Sequence, residues 1–396
     1  MGNSLDFWRV KSISKRGVNV SSIEEKALLV GVTFKRPSTY WKMEDSLQEL
    51  SELARAAGAE VMGTIKQRLL RPTSYYLGKG KLEEVKQLKE LYGCSVVIFD
   101  DELSPTQQRN LEQTIGEKVI DRTALILDIF ASRARTREGQ LQVELAQHEY
   151  LMPRLAGQWS HLERLGGGIA TRGPGETQIE TDRRLIRGRI KKLKEQLDRV
   201  RRHRTLHRDR RRKSGLPVAS LVGYTNAGKS TLFNKLSNAG VVSKNQLFST
   251  LDPITRRIRL PLGDELLVTD TVGFIHKLPP TVVSAFRGTL EDLHDADVLL
   301  HVVDVSSPMA NEQIKVVEDT LSQLGMSDKP NLLVLNKADL LRMSGSQVDS
   351  SMEPPLLQER LNLSVESRRP KVLVSAIRGD NVDGMLKVIQ QMLASE

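Results

Sequence analysis

"VASLVGYTNAGKSTLFNKL", Val218–Leu236, is the stretch that decides the fold. An apolar run ends at Gly223, a loop of the form G-x-x-x-x-G-K-S follows through Ser230, and a helical pattern continues from there. Strand, glycine loop and helix in that order frame a P-loop. The residue types follow from the chemistry of a phosphate chain. Small side chains let backbone N–H groups close on phosphate oxygens, and the helix N-terminus adds its dipole. Gly223, Tyr224, Thr225, Asn226, Ala227, Gly228 and Thr231 are therefore expected around the nucleotide. Lys229 is expected to reach the β- and γ-phosphates, and the Ser230 hydroxyl to ligate Mg²⁺.

Three further motifs stand in order at the ends of apolar runs. "DTVG" (Asp270, Thr271, Val272, Gly273) ends "ELLVT", so Asp270 is placed to hold Mg²⁺ through water and the Gly273 N–H to meet a γ-phosphate. "NKAD" ends "NLLVL", and a carboxylate at Asp339 accepts both guanine N1–H and N2–H, a pair adenine lacks. Asn336 is expected at N7, with the Lys337 stem across the base. "SAI" begins at Ser375, and the Ala376 N–H is expected at guanine O6. Strand ends are where open α/β sheets receive ligands, so the reading is a domain for GTP and GDP. In Ras-like domains a glutamine after D-x-x-G orients the attacking water; here that position is Phe274, so intrinsic hydrolysis is expected to be slow. Asn226 occupies the position at which some such domains hold a potassium ion.

The region before this domain alternates strand-like and helix-like runs, which favours a mostly parallel sheet. "ALLVGV", "VMGTI" and "SVVIF" read as strands. Leu47, Leu50, Ala54 and Ala57 mark a helix stopped by Gly58; Leu82, Val85, Leu88 and Leu91 mark another stopped by Gly93. Ser104-Pro105-Thr106-Gln107 has the form of a capping box. From Leu141 the period changes: Leu141, Leu145, His148, Met152, Leu155, Trp159 and Leu162 form a seam, with Pro153 set to kink it. A second seam runs Ile186, Ile190, Leu193, Leu197, Val200, and the two predict an antiparallel helical hairpin with His148 packed in it. The expected architecture is α/β: an extension over 1–24, an α/β domain over 25–138, the hairpin over 139–213 and the P-loop domain over 214–396.

Composition limits the rest. Apolar residues make up 39% of the 396, which excludes a disordered chain. One cysteine, Cys94, allows no internal disulfide and points to a reducing compartment, the cytoplasm, or an organellar stroma or matrix if a transit peptide has been removed. No run of 18 apolar residues exists to span a membrane, the N-terminus lacks the apolar core of a signal, and Asp6 argues against myristoylation. Between Arg183 and Lys213 stand sixteen Lys or Arg against three acids, a balance of +13 against +10 for the whole chain. A helix so one-sided in charge calls for an anionic partner, and phosphates are the usual one.

"GGGIATRGPGETQIETDRR" (Gly166–Arg184), "FSTLDPITRR" (Phe248–Arg257), "DTVGFIHKLPPTVVSAFRGTLED" (Asp270–Asp292) and "QVELAQHEYLMPRLAGQW" together resemble the HflX family of ribosome-associated GTPases, over about residues 25–395. The resemblance implies that Thr250 is the switch-I threonine closing on Mg²⁺ and the γ-phosphate, a catalytic position with Lys229 and Gly273. It matches the hydrophobic Phe274. It implies binding to the large ribosomal subunit, and splitting of stalled ribosomes in the GTP state. Some members carry a further C-terminal domain, which is not expected here because the chain ends soon after the last nucleotide motif.

The glycine-rich stretch itself has no Gly-Lys-Ser and no preceding strand, so it is not a second phosphate cradle. At the tip of a hairpin, Gly166, Gly167, Gly168, Gly173 and Gly175 permit close backbone approach, while Arg172, Arg183 and Arg184 supply charge. That suits a probe of folded rRNA, which the resemblance places near the peptidyl-transferase centre. The function expected is a monomeric GTPase of the large subunit. The rival reading is an RNA-binding assembly factor in which GTP only sets affinity, and a third, less favoured, is a signalling switch.

Overall fold

The apolar runs of the N-terminal region become four parallel strands: β1 (Glu25–Phe34), β2 (Ala59–Leu69), β3 (Val96–Phe99) and β4 (Lys118–Asp121), in the order β2-β1-β3-β4. The computed structural model describes residues 25–34, 41–155, 178–213, 215–237, 247–285, 292–343, 346–347 and 369–394. These divide into two compact units, Met1–Val200 with Pro279–Ala285, and Arg201–Leu278 with Phe286–Glu396. Gly166, Gly167, Gly168, Arg172, Gly173 and Gly175 lie outside the described residues, as do Trp159 and Leu162 of the first seam.

Between the strands of the first unit run α1 (Met43–Ala56), α2 (Lys79–Tyr92) and α3 (Pro105–Ile115), and α4 (Arg122–Arg133) follows β4. α2 and α3 stop at Gly93 and Gly116, both left-handed, a conformation that glycine adopts without the Cβ clash. The capping box at α3 is complete: Ser104 Oγ accepts the Gln107 N–H, and Gln107 Oε1 accepts the Ser104 N–H. One expected core position differs. Leu91 is 72% exposed, because on the last turn of α2 it is Tyr92 that lies against Gly63 of β2.

Charges fill the carboxyl ends of β3 and β4. Arg122 is buried and donates to Glu49 at 2.6 Å and to Asp100 at 2.7 Å. Asp121 caps α4 at the Ala124 N–H and accepts the Tyr150 hydroxyl at 2.9 Å. Arg154 stacks 3.6 Å over the Tyr150 ring and donates to Gln108 and the Leu103 carbonyl. Each buried charge is thus paired or hydrogen-bonded, as burial requires.

The seam residues meet in one cluster: Leu141 and Leu145 of α5 (Arg137–Leu151) with Leu193 and Leu197 of α6 (Gln178–Lys213), and Ile190 and Val200 beside them. Glu144–Arg189 and Glu149–Lys194 pairs flank it. Pro153 falls in a single 3-10 turn after α5. Among the described residues no helix is long and apolar enough to cross a membrane.

The second unit is a six-stranded sheet with one antiparallel edge. Its strands are β5 (Val218–Gly223), β6 (Ile254–Arg259), β7 (Glu265–Asp270), β8 (Val298–Asp304), β9 (Asn331–Asn336) and β10 (Lys371–Leu373), in the order β10-β9-β8-β5-β7-β6. α7 (Lys229–Ser237), α9 (Ala310–Gln323) and α10 (Val382–Ala394) belong to this unit, and the short α8 (Pro280–Ala285) to the first. The central strands β5, β8 and β9 are apolar and buried on both faces, as parallel strands between helices must be.

Candidate nucleotide-binding site

The loop between β5 and α7 takes its shape from three residues with positive φ: Gly223 (+147°), Asn226 (+61°) and Gly228 (+96°). Two of these admit no side chain. A Cβ on Gly223 would stand 2.3 Å from the Val302 carbonyl oxygen, and one on Gly228 2.3 Å from Asn336 Nδ2. The cleft above is lined by Thr225, Asn226, Lys229, Ser230, Thr250 and Gly273, with Thr231 and Thr271 also at its wall. Tyr224, Ala227 and Val272 are buried behind it.

Lys229 begins α7 and is buried, with its ammonium held by the Gly223 and Tyr224 carbonyls at 3.1 and 2.8 Å. Burial pulls its pKa down to about 8, and the nearby Asp270 carboxylate opposes that fall. Gly273 is forced to be glycine, since a Cβ would lie 2.8 Å from Thr225 Cα and 2.9 Å from Lys229 Nζ.

Three oxygens crowd beside the lysine. Ser230 Oγ lies 2.7 Å from Thr250 Oγ1 and 2.7 Å from Asp270 Oδ2, and Thr250 Oγ1 lies 2.9 Å from the same carboxylate oxygen. Two hydroxyl protons cannot serve three contacts, so one O···O approach has no hydrogen bond in it. Asp270 is fully buried, burial raises its carboxyl, and its Oδ1 has no hydrogen-bond partner among the described residues. A hard cation satisfies such a set, and Mg²⁺ takes carboxylate and hydroxyl oxygens by preference, so the residues fit that ion.

The D-x-x-G segment is stitched to the loop. Phe274 donates its N–H to the Gly223 carbonyl and accepts the Thr225 N–H at 2.7 Å, and its side chain is buried. The His276 N–H donates to the Tyr224 hydroxyl at 2.8 Å.

At the other end, Asn336 ties two loops together: its Nδ2 donates to the Ala227 carbonyl at 2.9 Å and its Oδ1 accepts the Ala376 N–H at 3.0 Å. The groups expected at guanine N7 and O6 are thus bonded to each other in this structure. Ser375 Oγ donates to Asp339 Oδ1 at 2.6 Å and so orients the carboxylate. Lys337, itself left-handed (φ +67°), sends its ammonium to Asp304 at 2.6 Å. Asp304 escaped the sequence reading; the signal available was an acid ending the apolar run "VLLHVVD". Arg183 and Arg184 stand on α6, on its exposed and half-exposed positions, and the nucleotide site does not include them.

Against this geometry the comparisons decide the family. Residues 44–131, 133–211 and 218–337 match the models described as GTP-binding GTPase N-terminal, GTP-binding GTPase Middle Region and 50S ribosome-binding GTPase. The GTPase HflX of Caldanaerobacter subterraneus subsp. tengcongensis is 53% identical over 329 residues, 82% of this chain and 76% of the relative. The chain belongs to the GTPase HflX family. The Escherichia coli K12 member is 44% identical over 373 residues, covering 94% of this chain and 84% of that one. A GTP-binding protein of Sulfolobus solfataricus solved with GDP is 24% identical, covers 94% of this chain and 99% of its own, and superposes with a TM-score of 0.46. Like other members of the HflX family, the chain is a GTPase: it binds guanine nucleotide and hydrolyses GTP.

Proposed function

We propose that this GTPase works on the large ribosomal subunit, contacts its rRNA through α6 and the glycine-rich 166–175 stretch, and splits stalled ribosomes in the GTP state. One observation carries the reading: the +13 balance between Arg183 and Lys213 lies on a helix, leaving the remainder of the chain at −3. Counterion release from RNA phosphates makes such a helix bind polyanions steeply with falling salt. The description of the matched GTPase model, 50S ribosome-binding, agrees in kind. The lone buried Cys94 suits the reducing cytoplasm in which ribosomes work.

Within the nucleotide site, Lys229 serves the β- and γ-phosphates, and Ser230, Thr250 and Asp270 hold Mg²⁺, whose charge neutralises the phosphate oxygens when bound. The Gly273 N–H meets the γ-phosphate. Asp339, aimed by Ser375, reads guanine N1–H and N2–H. Lys337 covers the base, with Asn336 and Ala376 at its edge. Phe274 offers no polar side-chain atom to orient water, so turnover is slow until the ribosome assists, and Asn226 holds a potassium ion beside the phosphates.

GTP turnover with and without purified large subunits tests the reading. Stimulation that fades as salt rises is expected, and a rate indifferent to the subunit overturns it. Replacing 166–176 by a Gly-Ser linker is expected to leave nucleotide affinity and intrinsic turnover unchanged while abolishing splitting. An equal intrinsic rate in sodium and potassium dismisses the ion.

A further inference from the structure

Thr225 touches both segments that close on the phosphate loop. Its N–H donates to the Phe274 carbonyl at 2.7 Å, and its Oγ1 accepts the Phe248 N–H at 2.9 Å. Thr225 thus spends its N–H on one neighbouring segment and its hydroxyl oxygen on the other. Phe248 shows what the hydroxyl is for. It is 1% exposed and left-handed, φ +55°, a conformation that a bulky side chain keeps only when its surroundings impose it. Two residues further on, Thr250 delivers its hydroxyl to within 2.7 Å of Ser230 Oγ. The strained turn at Phe248 therefore sets where Thr250 arrives, and the Thr225 hydroxyl bonds the backbone of that turn.

We propose that Thr225 is a positioning residue for GTP hydrolysis: its side chain latches residues 247–250 closed and so seats Thr250 at the cation corner. This rests on reading Thr250 as the residue that responds to the triphosphate. Thr225→Val keeps shape and the backbone tie to Phe274 while removing the acceptor, and Thr225→Ser keeps the acceptor.

In the full chain, affinity for a non-hydrolysable GTP analogue and for GDP is measured alongside hydrogen exchange of the 247–251 peptide with the analogue and Mg²⁺ bound. Losing one hydrogen bond to a buried N–H predicts, in Thr225→Val, about tenfold faster exchange and a loss of analogue affinity about tenfold greater than any loss for GDP. Thr225→Ser is expected to match the wild type. Equal weakening for both nucleotides makes Thr225 part of the cradle alone and overturns the latch, as does unchanged exchange at 247–251. Should the valine variant melt early, Thr225→Ala removes the same acceptor without the branched side chain and is judged by the same two readouts. Thr250→Ala is run beside them. If it leaves analogue binding intact, the reading of Thr250 fails, while exchange at 247–251 still decides the latch.

Discussion

Asn336→Ala separates two accounts of the residue, one in which it reads the base and one in which it ties the site together. Its amide bonds the Ala227 carbonyl, 109 residues away, and the Ala376 N–H, 40 residues away, and it is 2% exposed. Truncation leaves a buried acceptor and a buried donor without these partners, each at a cost of about 1–3 kcal/mol. The sum, about 2–6 kcal/mol, applies before any nucleotide arrives. Hydrogen exchange of the most protected β9 amides in nucleotide-free protein reads that loss directly. Each 1.4 kcal/mol is tenfold, so exchange should quicken by roughly 30-fold to roughly 10⁴-fold. Asn336→Asp, which keeps an acceptor for Ala376 but loses the donor to Ala227, is expected to fall between. Wild-type protection in the nucleotide-free variant, with affinity alone reduced, would refute the tie and return Asn336 to the base.

Asp339→Asn is expected to shift preference from guanine toward xanthine nucleotides, which carry a carbonyl in place of the N2 amino group; competition binding that still favours GTP strongly rejects the assignment. Lys229 must be charged to hold phosphates, and with its pKa lowered to about 8 the nucleotide-free protein releases that proton as pH rises. GTP affinity should therefore be flat below that pH and about tenfold weaker at pH 9 than at pH 7, measured by titration in constant salt. For folding the sign is opposite: the unfolded lysine keeps its proton longer, so this group's contribution to stability rises with pH from about 8 toward its unfolded value. Arg122→Met strands Glu49 and Asp100 in the first unit, with a loss of about 3–5 kcal/mol at neutral pH in urea unfolding followed by tryptophan fluorescence. Those carboxylates take up protons in acid, so the variant should regain part of the loss as pH falls, and a deficit independent of pH argues against stranded charge.

What the sequence disclosed was whatever chemistry had to be local. The motif at the junction of β5 and α7 is eight consecutive residues, and the capping box before α3 is a four-residue device, so the place of the first and the hydrogen bonds of the second were legible. Apolar periodicity also located the leucines that join α5 to α6. Polar contacts outside the recognised motifs were not legible. Nothing near Lys337 announces Asp304, and nothing near Ala227 announces Asn336, because each pair meets only after the sheet has assembled. β6, "ITRRIR", carries three arginines and hides its strand character, since an edge strand exposes the side chains that a central one buries. Arg122 gave no sign of burial, because the acids that neutralise it arrive from α1 and from the end of β3.

That buried guanidinium separates the fates of two similar sheets. Open parallel sheets receive ligands beyond their carboxyl ends, and in the second unit that mouth is walled by glycines, backbone N–H groups and Lys229. In the first unit the corresponding place is occupied from within by Arg122 and Arg154, each seated among carboxylates as a dissolved cation would be. Their partners there are Glu49, Asp100 and Asp121, so those strand ends are closed by matched charge. The two units thus differ at one place: the second keeps a cleft at its strand ends, and the first fills them with its own ion pairs.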